Sequence, residues 1–387
     1  MFNGFKSSLI KLSGIYIHIP FCSKACHYCD FHFSTSKNNI KPMISAIIKE
    51  LNNRKKEVNE PIQTIYFGGG TPSTLAPLFI NNILQTILTK FTISNNVEIT
   101  LEANPEDLSE KNLKSFYNMG INRLSIGVQA LNDEVLKWMN RNHSSYQAIT
   151  SIKLANEIGF KNISADFIYG TPEKVKRKWK EELKHLIALP IQHVSAYHLT
   201  IEPKTFFGKQ LKKGFLKPLT QESSNSEYTE LVEALNEKNI IQYEVSNFAL
   251  DGFQSNHNMS YWQQKTYLGI GPSAHSYSGT KRRWNKPNNT FYIKSINNNE
   301  VYFESEKLSS LDNFNELIMV GLRTKKGFNY QQALSFLNKK QKQTFNNQLD
   351  LLNSDLMIER TGNYICMNED KLILAEYATR ELFILNK

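Results

Sequence analysis

The amino-acid sequence predicts an α/β protein, namely an open, partial (β/α)6 barrel followed by a small C-terminal helical, winged-helix-like domain. Three observations support this fold class. Short apolar runs alternate with amphipathic runs through about the first 200 residues, glycines follow several amphipathic runs, and three helical runs and a hairpin come near the end. Strands separated by helices pair in parallel through right-handed crossovers, which is the arrangement of such barrels.

The barrel elements follow one another in regular order. Strands are expected at 15–19, 64–67, 97–101, 123–126, 163–168 and 194–199, and helices at 43–58, 78–88, 113–119, 146–158 and 175–189. Gly120 and Gly159 directly follow two of these helices, where glycine is common. Six units fall short of the eight of a closed barrel. A doubly wound open sheet is an alternative that periodicity alone leaves open.

The sequence changes character beyond residue 200. A basic loop is expected at 212–218, an amphipathic helix at 222–238, and a loop region rich in glycine, asparagine and aromatic residues at 245–278. Three helices at 314–322, 330–337 and 341–352, then a hairpin turning at 361–363, predict the winged-helix-like domain, with the asparagines of 297–299 as a linker. We therefore divide the chain into a core at 1–240, an extension at 241–296 and a C-terminal domain at 297–387.

Charge and hydropathy restrict the class of protein. The chain has 387 residues, with 46 Lys and Arg against 36 Asp and Glu, a formal net charge of +10. The basic residues are scattered without a nucleic-acid-binding signature, so no dedicated nucleic-acid binding is expected. Residues 1–14 lack the apolar middle and cleavage site of a secretory signal, and no stretch approaches the roughly 18 apolar residues of a membrane span. We expect a cytoplasmic protein.

Cysteine spacing is the most specific chemical signal. Cys22, Cys26 and Cys29 follow the spacing C-x3-C-x2-C, whereas Cys366 lies far away and is expected as a buried thiol in the terminal hairpin. Clustered thiols of this kind are typical metal ligands. Structural zinc sites have four closed ligands, while three thiolates on an iron–sulfur cluster leave one iron open to a cofactor or substrate. A zinc site completed by His27 or His32 is the alternative.

Glycines and polar side chains are expected where strands of the barrel end. Gly68–Gly70 follow the second strand, Glu102 ends the third, Gln129 and Asp166 end later strands, and Arg141 lies beyond Gln129. The carboxyl edge of parallel strands is where α/β proteins bind ligands, and glycine lets the backbone approach a ligand closely. Tight turns, helix caps or, for Arg141, a surface ion pair are the alternatives.

Taken in order, these motifs resemble the radical S-adenosylmethionine (SAM) superfamily. The C-x3-C-x2-C spacing with Tyr28 before its last cysteine is the signature of that superfamily. The similarity covers essentially the whole chain and is closest to the oxygen-independent coproporphyrinogen III oxidase branch, and within it to the HemW-like heme chaperones. The motifs that carry it are YIHIPFC at 16–22, GGGTPS at 68–73, EANP at 102–105, SIGVQ at 125–129, ADFIYG at 165–170 and YEVSNFA at 243–249.

The resemblance implies a [4Fe-4S] cluster held by the three clustered cysteines, with SAM on its open iron. One electron, supplied by a donor through the cluster, would cleave SAM into methionine and a 5′-deoxyadenosyl radical, while the protein orients the cofactor. The implied SAM contacts are Tyr16, Gly69, Gly70, Thr71, Glu102, Gln129, Arg141 and Asp166. In the oxidase branch the last three of these residues surround a second SAM molecule.

Two features distinguish the chaperones from the oxidases. The oxidases carry a further cysteine two residues after the third, where this chain has Phe31, and this puts oxidase activity in doubt. The run HNMSYW at 257–262 resembles an HNxxYW motif of the chaperone branch proposed for heme handling. His257 is therefore the heme candidate, His275 the second, and a structural histidine the alternative. His18 is expected to be structural and to donate to the backbone.

These expectations combine into a heme chaperone that binds the cluster, SAM and heme and transfers heme to an acceptor hemoprotein. The alternatives are an oxygen-independent coproporphyrinogen III oxidase and a radical SAM enzyme acting on another substrate, such as a nucleic acid. Peripheral membrane contact would suit a protein that serves respiratory hemoproteins, although the sequence shows no strong amphipathic anchor.

Overall fold

The computed structural model describes residues 13–385. Most of the segment on which the expectation about a secretory signal rests, residues 1–12, lies outside the described residues. No helix among the described residues is long and apolar enough to cross a membrane. The fourteen described α-helices are α1 (Ile40–Arg54), α2 (Pro77–Lys90), α3 (Glu110–Asn118), α4 (Asp133–Trp138), α5 (Ser145–Ile158), α6 (Trp179–Ile187), α7 (Phe206–Lys212), α8 (Gln221–Asn236), α9 (Asn256–Trp262), α10 (Asn289–Asn298), α11 (Ser310–Leu322), α12 (Tyr330–Ser335), α13 (Lys339–Ser354) and α14 (Ala375–Leu382).

Fifteen strands form two sheets within residues 13–385. Twelve belong to the large sheet: β1 (Ser13–Ile19), β2 (Ile62–Gly69), β3 (Ile93–Ala103), β4 (Arg123–Gln129), β5 (Ile163–Tyr169), β6 (His193–His198), β7 (Ile241–Glu244), β8 (Asn247–Ala249), β9 (Tyr267–Ile270), β10 (His275–Tyr277), β11 (Lys281–Asn285) and β12 (Phe303–Lys307). The small sheet contains β13 (Phe328–Asn329), β14 (Ile358–Thr361) and β15 (Tyr364–Met367).

The large sheet is open and mostly parallel. Its strand order is β12-β11-β10-β9-β1-β2-β3-β4-β5-β6-β8-β7, and β1 to β6 pair in parallel with their neighbours. Strand β9 continues the parallel part beyond β1, whereas the strands at both ends are antiparallel. The end strands β12 and β7 are not paired with each other in the described part of the chain. The predicted α/β class and open, partial barrel are confirmed.

Residues 245–278, predicted as a loop region, are instead part of the sheet. Strands β8, β9 and β10 and helix α9 lie within this range, and they extend the barrel at both ends. These strands are only three or four residues long, so they depend on pairing with neighbouring strands (β8 with β6, β9 with β1 and β10 with β9) rather than on their own pattern. The prediction of a linker at 297–299 is also wrong. These residues form the end and the C-cap of helix α10, and the chain then returns to the large sheet as β12.

Alternation along the barrel strands separates an apolar face from a polar one. Ile15, Ile65 and Leu101 are fully buried on the face that the helices cover, in the large apolar core. Their neighbours Tyr66 and Glu102 project to the opposite, inner face of the barrel, where Tyr66 donates a hydrogen bond to Glu102. The barrel interior is therefore a polar compartment, even though its strands are deeply buried.

A second apolar core follows the large sheet. Helices α11 to α14 pack with the small sheet around Phe314, Phe345 and Ile365, and the predicted three helices and hairpin are confirmed. Cys366 is buried in that hairpin, as predicted. The apolar contacts of the large core end with Phe303, whereas those of the second run from Leu311 onward and also include Val245 of the extension. The division into 1–240, 241–296 and 297–387 stays a prediction.

Candidate cofactor site at the cysteine loop

The cysteine loop, residues 20–39, connects β1 to α1 at the carboxyl edge of the sheet. Ser34 closes the start of this loop, because its N–H donates to Pro20 O (2.9 Å) and its carbonyl accepts from Cys22 N–H (3.1 Å). The middle of the loop is fastened to the turn after α4, where His27 N–H donates to Met139 O (3.1 Å) and Asn140 Nδ2 donates to Ala25 O (2.7 Å). The loop conformation is thus fixed by hydrogen bonds to the backbone, together with the apolar side chains of Phe21 and Tyr28.

Each of the three clustered sulfurs has a hydrogen-bond donor beside it. Thr71 Oγ1 donates to Cys22 Sγ (3.4 Å), Arg141 Nη1 donates to Cys26 Sγ (3.3 Å), and the backbone N–H of Phe31 donates to the Cys29 thiol. Burial raises the pKa of the Cys22 thiol to about 11 and that of Cys29 to about 12. Burial thus disfavours a free thiolate at Cys22 and Cys29, and the three donors would stabilise the thiolates of a bound metal centre.

The donor set fits an iron–sulfur cluster better than a single metal ion. No group of three or more His, Cys, Asp or Glu side chains between residues 13 and 385 lies close enough to hold one ion. His27 Nδ1 is hydrogen-bonded to Trp138 O (2.8 Å), and His32 Nε2 to Asn289 Oδ1 (2.8 Å). Since a cubane is larger than an ion, its thiolates stand further apart, so this spacing disfavours the zinc alternative.

The glycine loop after β2 packs directly against the cysteine loop. Gly69 has φ +110°, and a Cβ there would lie 2.6 Å from the His18 ring. At Gly70 a Cβ would lie 2.7 Å from the carbonyl oxygen of Phe21, while Gly70 N–H donates to Ile19 O (2.9 Å). Gly70 therefore serves a close approach between two backbones, and Gly69 serves a close approach of the backbone to the His18 ring, in addition to any approach to a ligand. Thr71, the next residue, reaches Cys22 as a result.

Glu102 lies inside the barrel behind the glycine loop. Its carboxylate accepts from Tyr66 Oη (2.8 Å) and from Gly69 N–H (3.2 Å). Burial raises the pKa of Glu102 to about 7, despite these hydrogen bonds. Tyr16 is on the neighbouring strand, and its hydroxyl is hydrogen-bonded to His18 Nδ1 (3.2 Å). Strands β1, β2 and β3 therefore bring Tyr16, the glycines and Glu102 to one region, as the sequence predicted.

The remaining predicted contacts separate into two positions. Gln129 is the last residue of β4 and has φ +65°, a left-handed conformation that is uncommon outside glycine. Arg141 lies over the same strand end, where Nη2 donates to Gly127 O (2.8 Å). Asp166 does not end its strand, contrary to the prediction, because β5 continues for three residues. Its carboxylate is deep in the barrel and accepts from Ser125 Oγ (3.0 Å).

The histidines occupy three different environments. His257 is buried, with Nδ1 hydrogen-bonded to Thr64 Oγ1 (2.7 Å) and Nε2 to Tyr261 Oη (2.8 Å), and its heme role stays a prediction. His275 is exposed and stacks on Trp284 at 6.1 Å. His18 Nε2 donates to His32 O (2.9 Å), which confirms the expected structural role.

Sequence reasoning missed Asn104. It lies one residue beyond β3, and its amide contacts both Thr71 and Arg141, the donors to two of the clustered sulfurs. The EANP motif at 102–105 was the available signal. An asparagine before a proline is, however, more typical of a turn or a helix cap than of a site residue.

Comparisons with known proteins agree with this geometry. A family model described as the radical SAM superfamily matches residues 16–186. Heme chaperone HemW of Bacillus subtilis (strain 168) is 34% identical over 320 residues, which cover 82% of this chain and 84% of that protein. Heme chaperone HemW of Haemophilus influenzae is 30% identical over 383 residues, 96% and 97% of the two chains.

A solved structure shows the same fold. Coproporphyrinogen III oxidase (HemN) from Escherichia coli, a radical SAM enzyme, matches with a TM-score of 0.82 at 20% identity, over 96% of this chain and 90% of that one. Membership of the radical SAM superfamily implies an iron–sulfur cluster and SAM. Since these HemW relatives are 34% and 30% identical over most of both sequences, the chain belongs to the HemW family of the radical SAM superfamily.

Proposed function

We propose that this protein is a cytoplasmic heme chaperone that carries a [4Fe-4S] cluster and SAM, accepts heme and transfers it to an acceptor hemoprotein. The observation that carries this proposal is the match to proteins named heme chaperone HemW over nearly the full length of both chains. The fold alone would fit an oxidase equally well, since the E. coli enzyme has it too.

The residue at position 31 favours the chaperone over the oxidase. Phe31 stands two residues after Cys29, where the resemblance places a fourth cysteine in the oxidases, and its side chain is 69% exposed. Cys366 cannot replace that thiol, because it is buried in the C-terminal hairpin, where its sulfur lies 3.5 Å from Glu359 Oε1. Oxygen-independent coproporphyrinogen III oxidase activity is the second candidate function, supported by the fold.

The residues of the cysteine loop divide the work of the cofactor site. Cys22, Cys26 and Cys29 would hold the cluster, which when bound supplies an open iron position for SAM and a route for one electron. Gly69 and Gly70 let the glycine loop pack directly against the cysteine loop, which places Thr71 beside Cys22. Glu102 offers a buried carboxyl group as a hydrogen-bond partner for an amino group.

A cleft at the opposite end of the barrel is our candidate location for heme. It measures about 990 Å³, within the usual range for ligand sites, and its lining includes Gly14, Tyr243, Met259, Lys265 and Lys326. Met259 lies in the HNxxYW run and offers a thioether to iron, while the two lysines offer cations to the propionates. His257 in the same helix has both ring nitrogens already hydrogen-bonded inside the barrel.

The cluster is tested by anaerobic reconstitution with iron and sulfide, followed by EPR with and without SAM. Wild type should load a cubane cluster whose EPR signal changes when SAM is added, because SAM binds the open iron. Cys26→Ser should lose the cluster, and the matched control Cys366→Ser should keep it, since Cys366 lies in the C-terminal hairpin. A Cys26→Ser protein that loads like wild type would contradict the proposed ligands.

Heme binding is tested by titration of the purified protein, monitored by the Soret band. Met259→Ala should lower heme affinity at least tenfold, the order of effect expected for loss of a metal contact. Met319→Ala, a methionine on the exposed side of α11, is the control and should bind like wild type. His257→Ala and His275→Ala test the two histidine predictions. A loss of heme affinity in either variant, with normal affinity in Met259→Ala, would favour that histidine over the cleft. A wild type without a Soret shift at stoichiometric heme would refute the chaperone proposal.

The oxidase alternative has its own assay. The loaded protein is incubated anaerobically with reductant, SAM and coproporphyrinogen III, and we expect no protoporphyrinogen, because Phe31 replaces the further cysteine. Formation of protoporphyrinogen would favour the oxidase instead.

A further inference from the structure

We propose that Asn104 is the positioning residue of the cluster site, and that its amide sets the reduction potential of the cluster by holding the two side chains that donate to Cys22 and Cys26. This inference rests on the proposed function only in so far as these cysteines hold a cluster. It assigns Thr71 and Arg141 a role toward the sulfurs in addition to their expected role toward SAM.

The hydrogen bonds around Asn104 have a fixed direction. Arg141 has only donors, so the oxygen of the amide must face it, and Nη2 donates to Asn104 Oδ1 at 2.6 Å. The amide NH2 group is then left for Thr71, and Nδ2 donates to Thr71 Oγ1 at 3.4 Å. Because the hydroxyl accepts there, its single proton is available for Cys22 Sγ at 3.4 Å.

The other arm of the network runs through Arg141. Its guanidinium is fixed by Asn104 Oδ1 and Gly127 O, and Nη1 then donates to Cys26 Sγ at 3.3 Å. One amide therefore aims a hydroxyl at one sulfur and a guanidinium at another. Cys29 receives its hydrogen bond from the backbone of Phe31 and does not depend on Asn104.

A purely local role for Asn104 does not account for this geometry. The residue occupies the N-cap position of the 3-10 turn Pro105–Asp107, where asparagine commonly caps the turn with its side chain. Here the side chain makes no capping hydrogen bond, and the amide turns toward the cysteine loop instead. Its backbone N–H donates to Ser73 Oγ (3.1 Å), which holds the residue beside the glycine loop.

Hydrogen bonds to cysteine sulfurs change the potential of iron–sulfur clusters. Added electron density on the reduced cluster is partly carried by the sulfurs, so donors stabilise the reduced form and raise the potential. Loss of Asn104 should misplace two of the three donors together. The cluster should then become harder to reduce, while the ligand set itself stays unchanged.

The test compares cluster potentials, measured without SAM by EPR-monitored redox titration of the reconstituted protein. Asn104→Leu keeps the size of the side chain and removes its hydrogen bonds. We expect its reduction equilibrium to shift about tenfold toward the oxidised cluster, about 59 mV for one electron. Thr71→Val should shift the equilibrium less than Asn104→Leu does. In the Asn104→Leu background, Thr71→Val should add little, because the hydrogen bond from Thr71 to Cys22 is already lost. Asn118→Leu, at the exposed end of α3, is the matched control.

Several outcomes separate this inference from the proposed function. An Asn104→Leu protein with a full cluster and wild-type potential would overturn it, as would full additivity with Thr71→Val. If Asn104→Leu does not load a cluster, the variants Thr71→Val and Arg141→Lys test the inference instead. Arg141→Lys keeps the positive charge but removes the forked guanidinium donors. Wild-type cluster potentials in both variants would overturn the inference. A wild type without a cluster would overturn the proposed function as well, whereas a loaded wild type with unshifted variants refutes only the role of Asn104.

Discussion

A single imidazole joins the barrel to the helix beneath it. The ring of His257 stacks on Tyr66 (4.9 Å between ring centroids) and is hydrogen-bonded at both nitrogens, to Thr64 of β2 and to Tyr261 of its own helix α9. Glu98 of β3 accepts from the backbone N–H groups of Asn256 and His257, at 3.0 Å each. The HNxxYW run thus closes the amino end of the barrel, and this structural role is independent of any role in heme binding.

The buried ring of His257 predicts a loss of stability in acid. Burial, with Arg123 nearby, lowers the pKa of His257 to about 3, against an ordinary value near 6.5. Below pH 6.5 the unfolded chain binds a proton that the folded one refuses, so stability falls as pH falls. Between pH 6.5 and 5 this amounts to about 2 kcal/mol. Urea unfolding at pH 6.5 and at pH 5 should show that His257→Gln loses less stability between these two pH values than wild type does.

Glu102 provides the control, because its sign is opposite. Burial raises the pKa of Glu102 to about 7, so the folded protein binds a proton that the unfolded chain releases down to about pH 4.5, and stability rises as pH falls. Glu102→Gln should therefore lose more stability than wild type over the same interval. Equal losses in wild type and both variants would contradict the assignment of these buried groups.

The sequence anticipated some of these residues for physical reasons and missed others. Cysteine spacing and glycines after a strand are local signals, so the cysteine loop, the glycine loop and Glu102 could be predicted. The partners of His257 could not, because Thr64 lies 193 residues away in sequence. Asn104 was missed for the same reason, since its partners come from the loop after β2 and the turn after α4.

Among the elements, the added strands β9 to β12 pair with the barrel through β1, and one buried carboxylate ties them to helix α1. Glu50 of α1 is fully buried and pairs with Arg54 Nη1 (2.9 Å). It also accepts from Gly271 N–H (2.9 Å), Asn285 Nδ2 (3.0 Å) and Tyr292 Oη (2.5 Å). One side chain thus ties α1 to the turn after β9, to β11 and to α10.

Removal of this carboxylate should be strongly destabilising. Glu50→Ala leaves Arg54 as a buried cation with only part of its partners, and we expect the free energy of unfolding to fall by about 3–5 kcal/mol. Replacement of both Glu50 and Arg54 by leucine should recover part of the loss, since no unpaired charge remains. Chemical denaturation measures both. Glu110→Ala, which removes an exposed pair with Lys114, should leave stability unchanged. A Glu50→Ala protein as stable as wild type would contradict this account.

The same network explains which elements could be predicted. Strands β1 to β6 have apolar residues on the face that the helices cover, so each is visible in the sequence alone. Strand β11, Lys281–Asn285, is charged over most of its length and forms through pairing with β10 and β12. This strand is stable only within the assembled sheet, so no local sequence pattern predicts it.

At the scale of the whole molecule, two apolar cores meet at a polar junction. Arg323, at the end of α11, donates from Nε to the fully buried Glu244 Oε2 (2.7 Å) and lies 4.7 Å from the centroid of the Trp262 ring. Val245 N–H donates to Arg323 O (3.0 Å) beside it. The junction therefore joins β7 and the helix α9 of the barrel to the second core.

Loss of this junction should uncouple the two cores. Arg323→Leu leaves the buried Glu244 without its cation, so we expect one thermal transition in wild type and two in the variant. Differential scanning calorimetry measures this, and Lys340→Ala on the exposed side of α13 is the control. One unsplit transition at the wild-type temperature in Arg323→Leu would show that the cores are coupled by other contacts.

The way the cysteine loop is anchored has a consequence for life in air. Hydrogen bonds to Ser34, Met139 and Asn140 shape this segment without help from iron, while Phe21 packs in the large core and Tyr28 packs against a smaller apolar cluster around Phe207. An oxidised centre could then fall apart while the polypeptide keeps its form. A damaged copy could be repaired in place by fresh iron and sulfide, with no need for new synthesis.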